Sequence, residues 1–291
     1  MDTKSIADSI RYTKEIEPLD KKFNILRLLL YNTKAESDQD HEPYIIYEIE
    51  KISSEIEIVS SEIEKEVKNY YEQPKIVEGY LKMGKRVRDP SGWEIGNLNK
   101  LIQLVEENDI TKSILDVGCG YGHDVIWFEQ LGFKAFGLDI SELLIERART
   151  IYETGTDMTD NDISRFIAGS MTDIHQFDDK GLGCVKMDAS LYHLPYYGKG
   201  SPADLAIRET HRILEDGGIA YIRVHSIADG KNGFIELEQR GEELNSRYGQ
   251  NLTSEEVKAL LENNEFEIIE TVNKKQGKRQ RYWCSAYARK I

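Results

Sequence analysis

The sequence predicts an α/β fold: a mostly parallel seven-stranded sheet flanked by helices, closed by an antiparallel hairpin and preceded by a helical N-terminal region. Three observations predict it. From Ser113 onward, apolar runs of strand length alternate with helical patterns. The first run, Ile114-Leu115-Asp116-Val117, opens directly into a glycine-rich turn, Gly118-Cys119-Gly120-Tyr121-Gly122. The last two runs, Phe266–Val272 and Tyr282–Ala288, follow one another with no helical pattern between them, which reads as a hairpin.

Taken in order, residues 1–43 look helical and polar, with a loop at 32–42 and Pro43 at a plausible helix start. Residues 44–72 carry Ile45, Ile49, Ile52, Ile56, Val59 and Ile63 at alternating steps of four and three, a heptad seam. That coiled-coil-like helix is expected to pack inside its own chain or against its copy in a homodimer, and its acid-rich face to be solvated. Residues 70–95 gather Tyr70, Tyr71, Tyr80 and Trp93 with Lys85, Arg86 and Arg88. They read either as a lid, with Tyr70, Tyr71, Arg88 and Trp93 facing a ligand, or as a hinge with ordinary packing aromatics. An amphipathic helix at 95–108 leads into the first strand. Thus 1–95 is assigned to a helical region and 96–291 to the sheet domain.

Within that domain the pattern Val125–Leu131 is a helix stopped by Gly132, and Lys134–Leu138 is a second strand ending on Asp139. Ser141 is placed to cap the helix Glu142–Tyr152. Arg165–Gly169 and Gly181–Met187 are the third and fourth strands, Ala203–Leu214 a helix, Glu215–Gly218 a tight turn and Ile219–Val224 the fifth strand. Residues 226–252 read as a cap insertion around a helical piece, Phe234–Tyr248. Thr253-Ser254-Glu255-Glu256 is a capping box that starts a helix through Asn263. The basic stretch 273–281 is read as the loop of the closing hairpin, a solvated tip or a phosphate contact.

The turn has its own chemistry. Glycines at 118, 120 and 122 permit positive φ and remove the Cβ atoms that would hold a ligand off the backbone. The turn feeds a helix N-terminus, and about twenty residues on stands the Asp139 carboxylate, able to accept bonds from both hydroxyls of a ribose. This much describes a cradle for an adenosine-containing ligand.

Composition narrows the field. The net charge of −14 weighs against a nucleic-acid substrate. No apolar run approaches membrane-spanning length, and the N-terminus does not look like a signal peptide. Cys119, Cys184 and Cys284 form no framework, which fits a cytoplasmic setting. Cys119 reads as a small turn residue rather than a reactive thiol. The six histidines share no metal-ligand spacing, so no metal is expected.

The separated motifs resemble one family, the class I S-adenosylmethionine-dependent methyltransferases, over about residues 97–291. ILDVGCGYG at 114–122 resembles the family's first motif, and Leu138-Asp139 its second. The resemblance extends to a subgroup with small-molecule acceptors that carries an acid where Asp124 stands. MDASLYHLP at 187–195 is similar to the segment after the fourth strand, and HRILEDGGIAYIRV at 211–224 to the lead into the fifth.

The resemblance implies a Rossmann-like methyltransferase sheet, S-adenosyl-L-methionine as cofactor and S-adenosyl-L-homocysteine as product. It implies cofactor contacts from Asp116, Gly118, Cys119, Gly120, Gly122, Asp139, Ile140, Met187 and Asp188. Many members carry an acid at the end of the third strand; here that position is Ser170, with Asp173 further on, so Ser170 and Met171 are expected to meet the adenine. His193 and His225 are the candidate bases, since ligands in such sheets sit at the carboxyl ends of the strands. The expected reaction is in-line methyl transfer to an oxygen or nitrogen of a small-molecule acceptor. The alternatives are a tRNA or protein substrate recruited by residues 1–95, or a non-catalytic S-adenosylmethionine-binding protein.

Overall fold

The structure, a computed structural model, describes residues 22, 23, 25–27, 29, 30, 43–84, 93–155, 165–226, 248–276 and 281–291. Three helices come first: α1 (Pro43–Tyr71), α2 (Pro74–Gly84) and α3 (Trp93–Glu107). Then follow β1 (Ser113–Val117), α4 (His123–Gln130), β2 (Lys134–Asp139), α5 (Glu142–Gly155), β3 (Phe166–Ala168) and β4 (Leu182–Asp188). A 3₁₀ turn at Leu191–His193 precedes α6 (Pro202–Ile213), β5 (Leu214–Ser226), α7 (Ser254–Glu262), β6 (Phe266–Gln276) and β7 (Arg281–Lys290).

The seven strands form one sheet in the order β3-β2-β1-β4-β5-β7-β6. β1 to β5 pair in parallel, and β7 runs antiparallel between β5 and β6. Parallel strands covered on both faces are mostly apolar, and β1 is buried at all five positions, its two polar side chains partnered: Ser113 by the Gly183 N–H and Asp116 by Lys186. The order reverses between β1 and β4, so the crevice for a ligand opens beyond the carboxyl ends of these two strands. Helix starts follow their local chemistry. Thr253 and Glu256 close the capping box of α7, and Ser201 caps α6 with Pro202 in its first turn.

Two boundaries differ from the sequence reading. Glu215–Gly218 does not stand apart as a turn: β5 runs from Leu214, and the irregularity appears as a register shift against β4. Gly217 takes φ 80 inside it, which is why the glycines read as a turn. The stretch 273–281 is mostly strand, because Asn273–Gln276 pair with Cys284–Arg281; only 277–280 lie outside the described residues.

The seam of α1 is buried. Ile52, Ile56, Val59 and Ile63 pack with Phe23, Leu26, Leu29 and Leu30 and with Tyr248, all in one apolar cluster. Arg27 is ion-paired to Glu256 of α7, joining this layer to the sheet domain. The predicted lid, 70–95, comprises the end of α1 with Tyr70 and Tyr71, then α2 and the start of α3, with 85–92 outside the described residues. Arg88 and the side chain of Trp93 lie outside the described residues. So do 227–247, most of the predicted cap; Tyr248 itself is 2% exposed and lies outside any helix.

Candidate active site

The turn after β1 holds itself by backbone bonds. The N–H groups of Gly118 and Cys119 donate to the Leu138 carbonyl at 2.7 and 3.0 Å. Gly118 (φ 80) admits no side chain, because a Cβ there would lie 2.4 Å from Ser190 Cβ. Gly120 is different: a Cβ would meet nothing within 4 Å, so its missing side chain leaves open space beside the backbone. The Gly120 and Ser141 N–H groups each donate to one oxygen of Asp139 at 2.9 Å. These bonds fix the carboxylate while leaving each oxygen a second lone pair. Burial pushes the Asp139 carboxyl up to about 6, against the pull of the Ser141 and Gly120 N–H groups.

Behind the turn is a buried charge cluster. Lys186 Nζ of β4 lies 2.7 Å from Asp116 Oδ1 and 2.9 Å from Asp124 Oδ2. Burial pulls the ammonium down, but the two carboxylates together with Asp188 more than offset it, so Lys186 remains charged. Burial raises the Asp116 carboxyl to about 6, with Lys186 opposing it and Asp124 adding to it. The cluster ties β1, β4 and the first turn of α4 together beneath the glycines.

A cavity of about 470 Å³ opens from the turn, walled at its middle by Gly118, Gly120, Asp139 and Ile140. One end is an apolar slot of Val67, Leu144 and Met171 with Gly169, Ser170 and Glu64. The other end is aromatic and basic: Tyr71, Tyr192, His193, His225 and Trp283, with Arg223 and Asp188. Arg223 Nε donates to Asp188 Oδ1 at 2.5 Å, and its guanidinium stands 4.5 Å over the Trp283 ring. The His225 ring lies 4.0 Å from Trp283 and 4.7 Å from Tyr192.

His193 is 6% exposed and held from both sides. Its Nδ1 lies 2.6 Å from the Tyr248 carbonyl oxygen, which can only accept, so the proton is assigned to Nδ1. In the neutral ring Nε2 is then an acceptor, and the Tyr71 hydroxyl sits 3.0 Å from it. The α1 helix therefore reaches the aromatic end of the cavity through Tyr71. It is fastened there twice more: Ser141 Oγ donates to the Tyr71 carbonyl at 3.1 Å, and the Glu142 N–H donates to the Glu72 carboxylate at 2.7 Å.

A comparison with protein families matches residues 93–271 to the family described as "Methyltransferase domain". The chain belongs to the class I S-adenosylmethionine-dependent methyltransferases. Solved structures agree in fold. The methyltransferase resembles a SAM-dependent methyltransferase from Methanosarcina mazei at TM-score 0.52 and 19% identity, covering 64% of this chain and 97% of that one. It resembles the 1,6-didemethyltoxoflavin-N1-methyltransferase of Burkholderia thailandensis at TM-score 0.52 and 18% identity, covering 74% and 87%. No curated protein sequence matches the chain.

The methyltransferase's cavity fits S-adenosylmethionine. The cradle at Gly120 is one that a Cβ would fill, and Asp139 offers both oxygens to a ribose. Of the residues expected at the cofactor, Gly118, Gly120, Asp139, Ile140, Ser170, Met171 and Asp188 line the cavity. Four others support it from behind. Asp116 is turned to Lys186, Met187 is fully buried in the core, and Gly122 packs where a Cβ would lie 2.4 Å from the Phe166 ring. The Cys119 side chain faces Gly137, and burial with the nearby Asp139 and Asp116 raises its thiol well above the usual range, so it is a packing group. Tyr70 is buried edge-on against Tyr71 and braces it. Among the described residues no cluster of His, Cys, Asp or Glu has metal-binding geometry, and no helix is long and apolar enough to cross a membrane.

Two expected results test this assignment. Because Asp139 titrates near 6 and only its ionised form accepts from both ribose hydroxyls, S-adenosylhomocysteine should bind fully above about pH 6 and progressively more weakly below it. Calorimetry between pH 5 and 8 reads this directly; a flat profile would contradict it. Gly120→Ala should weaken the same binding about tenfold or more by filling the cradle. Its stability cost should stay near ~1–2 kcal/mol, the left-handed backbone penalty.

Proposed function

We propose that this methyltransferase transfers a methyl group to an oxygen or nitrogen of a small-molecule acceptor, with His193 as general base. The observation that carries the proposal is the pairing of Tyr71 and His193 in the cavity wall, with Nε2 held as the acceptor atom. S-adenosylmethionine supplies a methyl group already activated on a sulfonium. The chain must then align the acceptor, exclude water and receive a proton. His193 Nε2 receives the proton that an O–H or N–H acceptor loses, once the acceptor has replaced the Tyr71 hydroxyl as the hydrogen-bond partner of that nitrogen. Tyr192 and Trp283 wall the same end with aromatic faces suited to a planar acceptor, and such faces also favour a cation.

The enclosure supports a small acceptor over a macromolecular one. Helix α1 lies along the cavity through Glu64, Val67 and Tyr71, and the net charge is −14. The Burkholderia enzyme, similar in fold, holds 1,6-didemethyltoxoflavin together with S-adenosylhomocysteine. A transfer assay with methyl-labelled S-adenosylmethionine tests the proposal. Phenols and hydroxyl- or amine-bearing heterocycles form one arm, tRNA a second and lysate protein a third. Label is expected in the first arm; label confined to tRNA or protein would overturn the small-acceptor reading.

A further inference from the structure

The family match begins at residue 93, yet a carboxylate from far upstream stands inside the cavity. Glu64 of α1 faces the slot formed by Ile140, Leu144, Met171 and Val67. Ser170 Oγ donates to Glu64 Oε1 at 2.5 Å. The Ser170 hydroxyl also accepts from the Thr172 N–H at 3.2 Å and lies 2.8 Å from Thr172 Oγ1; because a carboxylate only accepts, the Ser170 proton goes to Glu64 and Thr172 Oγ1 donates to Ser170. The carboxylate is thus aimed by the backbone just beyond β3. Among the described residues, another acid nearby is Glu142, which lines an adjoining pocket with Glu64 and Ser170 and is paired with Lys68 at 3.2 Å. Asp173, the nearest in sequence to Ser170, is exposed and pairs with His175 at 3.1 Å.

With the ribose on Asp139, the two halves of an adenosyl donor must leave in opposite directions. The end holding His193, Arg223 and Trp283 is the polar, reactive one. The purine is left with the apolar slot, whose side chains suit its faces. An adenine in that slot brings one strong donor, the exocyclic amine, into surroundings of low polarity, where an unpaired donor is costly. A carboxylate only accepts, so it matches the amine and repels a carbonyl at the same place.

We propose that Glu64 accepts the hydrogen bond from the exocyclic amine of the donor's adenine, so that α1 completes the cofactor site and sets its base specificity. The inference rests on S-adenosylmethionine as donor. Ser170 acts through Glu64 as a positioning residue.

Calorimetry with two probes tests it: S-adenosylhomocysteine, and S-inosylhomocysteine, in which a carbonyl replaces the amine. The unmodified protein should prefer the adenosyl probe by about tenfold or more, as expected for a hydrogen bond to a charged group. Glu64→Met keeps the chain length and removes the acceptor. It should lose about tenfold or more in affinity for the adenosyl probe while the inosyl probe binds as well as before or better. Ser170→Ala should move the ratio in the same direction by less, and provides the readout should Glu64→Met fold poorly. An unmodified protein that binds both probes equally, or variants that keep its preference, would overturn the role of Glu64. Failure of the unmodified protein to bind S-adenosylhomocysteine at all would overturn the donor assignment instead.

Discussion

Replacing Lys186 by Met is expected to remove ~3–5 kcal/mol of stability, seen as a fall in Tm on the order of 10 °C. Lys186 is the ammonium shared by Asp116 and Asp124, and all three side chains are almost wholly buried. Taking away the cation leaves two carboxylates in a site of low polarity, and breaking a buried pair in this way costs far more than making it gains. The sign of the pH dependence follows. Burial and the neighbouring Asp124 hold the Asp116 carboxyl above an ordinary aspartate even with Lys186 opposing them, so the folded state holds its proton longer than the unfolded one. Without Lys186 this carboxyl rises further. A folded-state carboxyl pKa above the unfolded value erodes stability as pH climbs from about 4. The deficit of Lys186→Met should therefore be wider at pH 8 than at pH 5. Thermal denaturation at both values reads it, and a pH-independent loss under ~1 kcal/mol would contradict the charge cluster. Adding Asp124→Asn to Lys186→Met should recover part of the loss.

His193→Ala is expected to lower kcat about 10²–10⁴-fold, the usual range for a general base, while S-adenosylhomocysteine affinity moves only a few-fold. Such a drop corresponds to ~3–5 kcal/mol of transition-state stabilisation. The split is expected because His193 and Asp139 line different parts of the cavity, His193 beside the aromatic residues and Asp139 beside the glycine turn. Tyr71→Phe should cost less, since the imidazole keeps its bond to the Tyr248 carbonyl and hence its tautomer. Comparing turnover of the labelled acceptor with calorimetric binding separates the two effects. A His193→Ala enzyme within about fivefold of the parent would remove His193 from the chemistry.

Much of the sheet was legible because its signals are local. The apolar run of β1, the glycines and the acid ending β2 are contiguous in sequence, and each is dictated by its own backbone. Capping residues such as Thr253 and Glu256 announce α7 in the same way. The longer strands were shortened in the reading, since Gly217-Gly218 and the polar run after Val272 resemble loops until a neighbouring strand pairs with them. Asp116 was assigned to the cofactor through the resemblance of ILDVGCGYG to the family's first motif. Its partner Lys186, a lone cation in the otherwise apolar GCVKM run, was the visible clue that it turns inward. Glu64, Arg223 and Trp283 were missed for another reason. Arg223 is, like Lys186, a lone cation in an apolar strand, but nothing in its own sequence points to Asp188 and Trp283; Glu64 stands on a face that reads as solvated, and the folded chain alone carries it to Ser170.

The bond from His193 to the Tyr248 carbonyl has a consequence for how the enzyme can change over time. Tyr248 is not anchored by a polar scaffold alone. Its ring sits edge-on to Phe23, 6.1 Å away, in the oily layer of α1 and the residues around 22–30. The direction of one proton is therefore inherited from packing that looks like ordinary core. Drift among Phe23, Leu26 or Ile56 would register first as a change in fit, yet it would also shift the carbonyl that orients His193. With His193 as the proposed base, selection on the chemistry would reach into side chains that never touch a ligand.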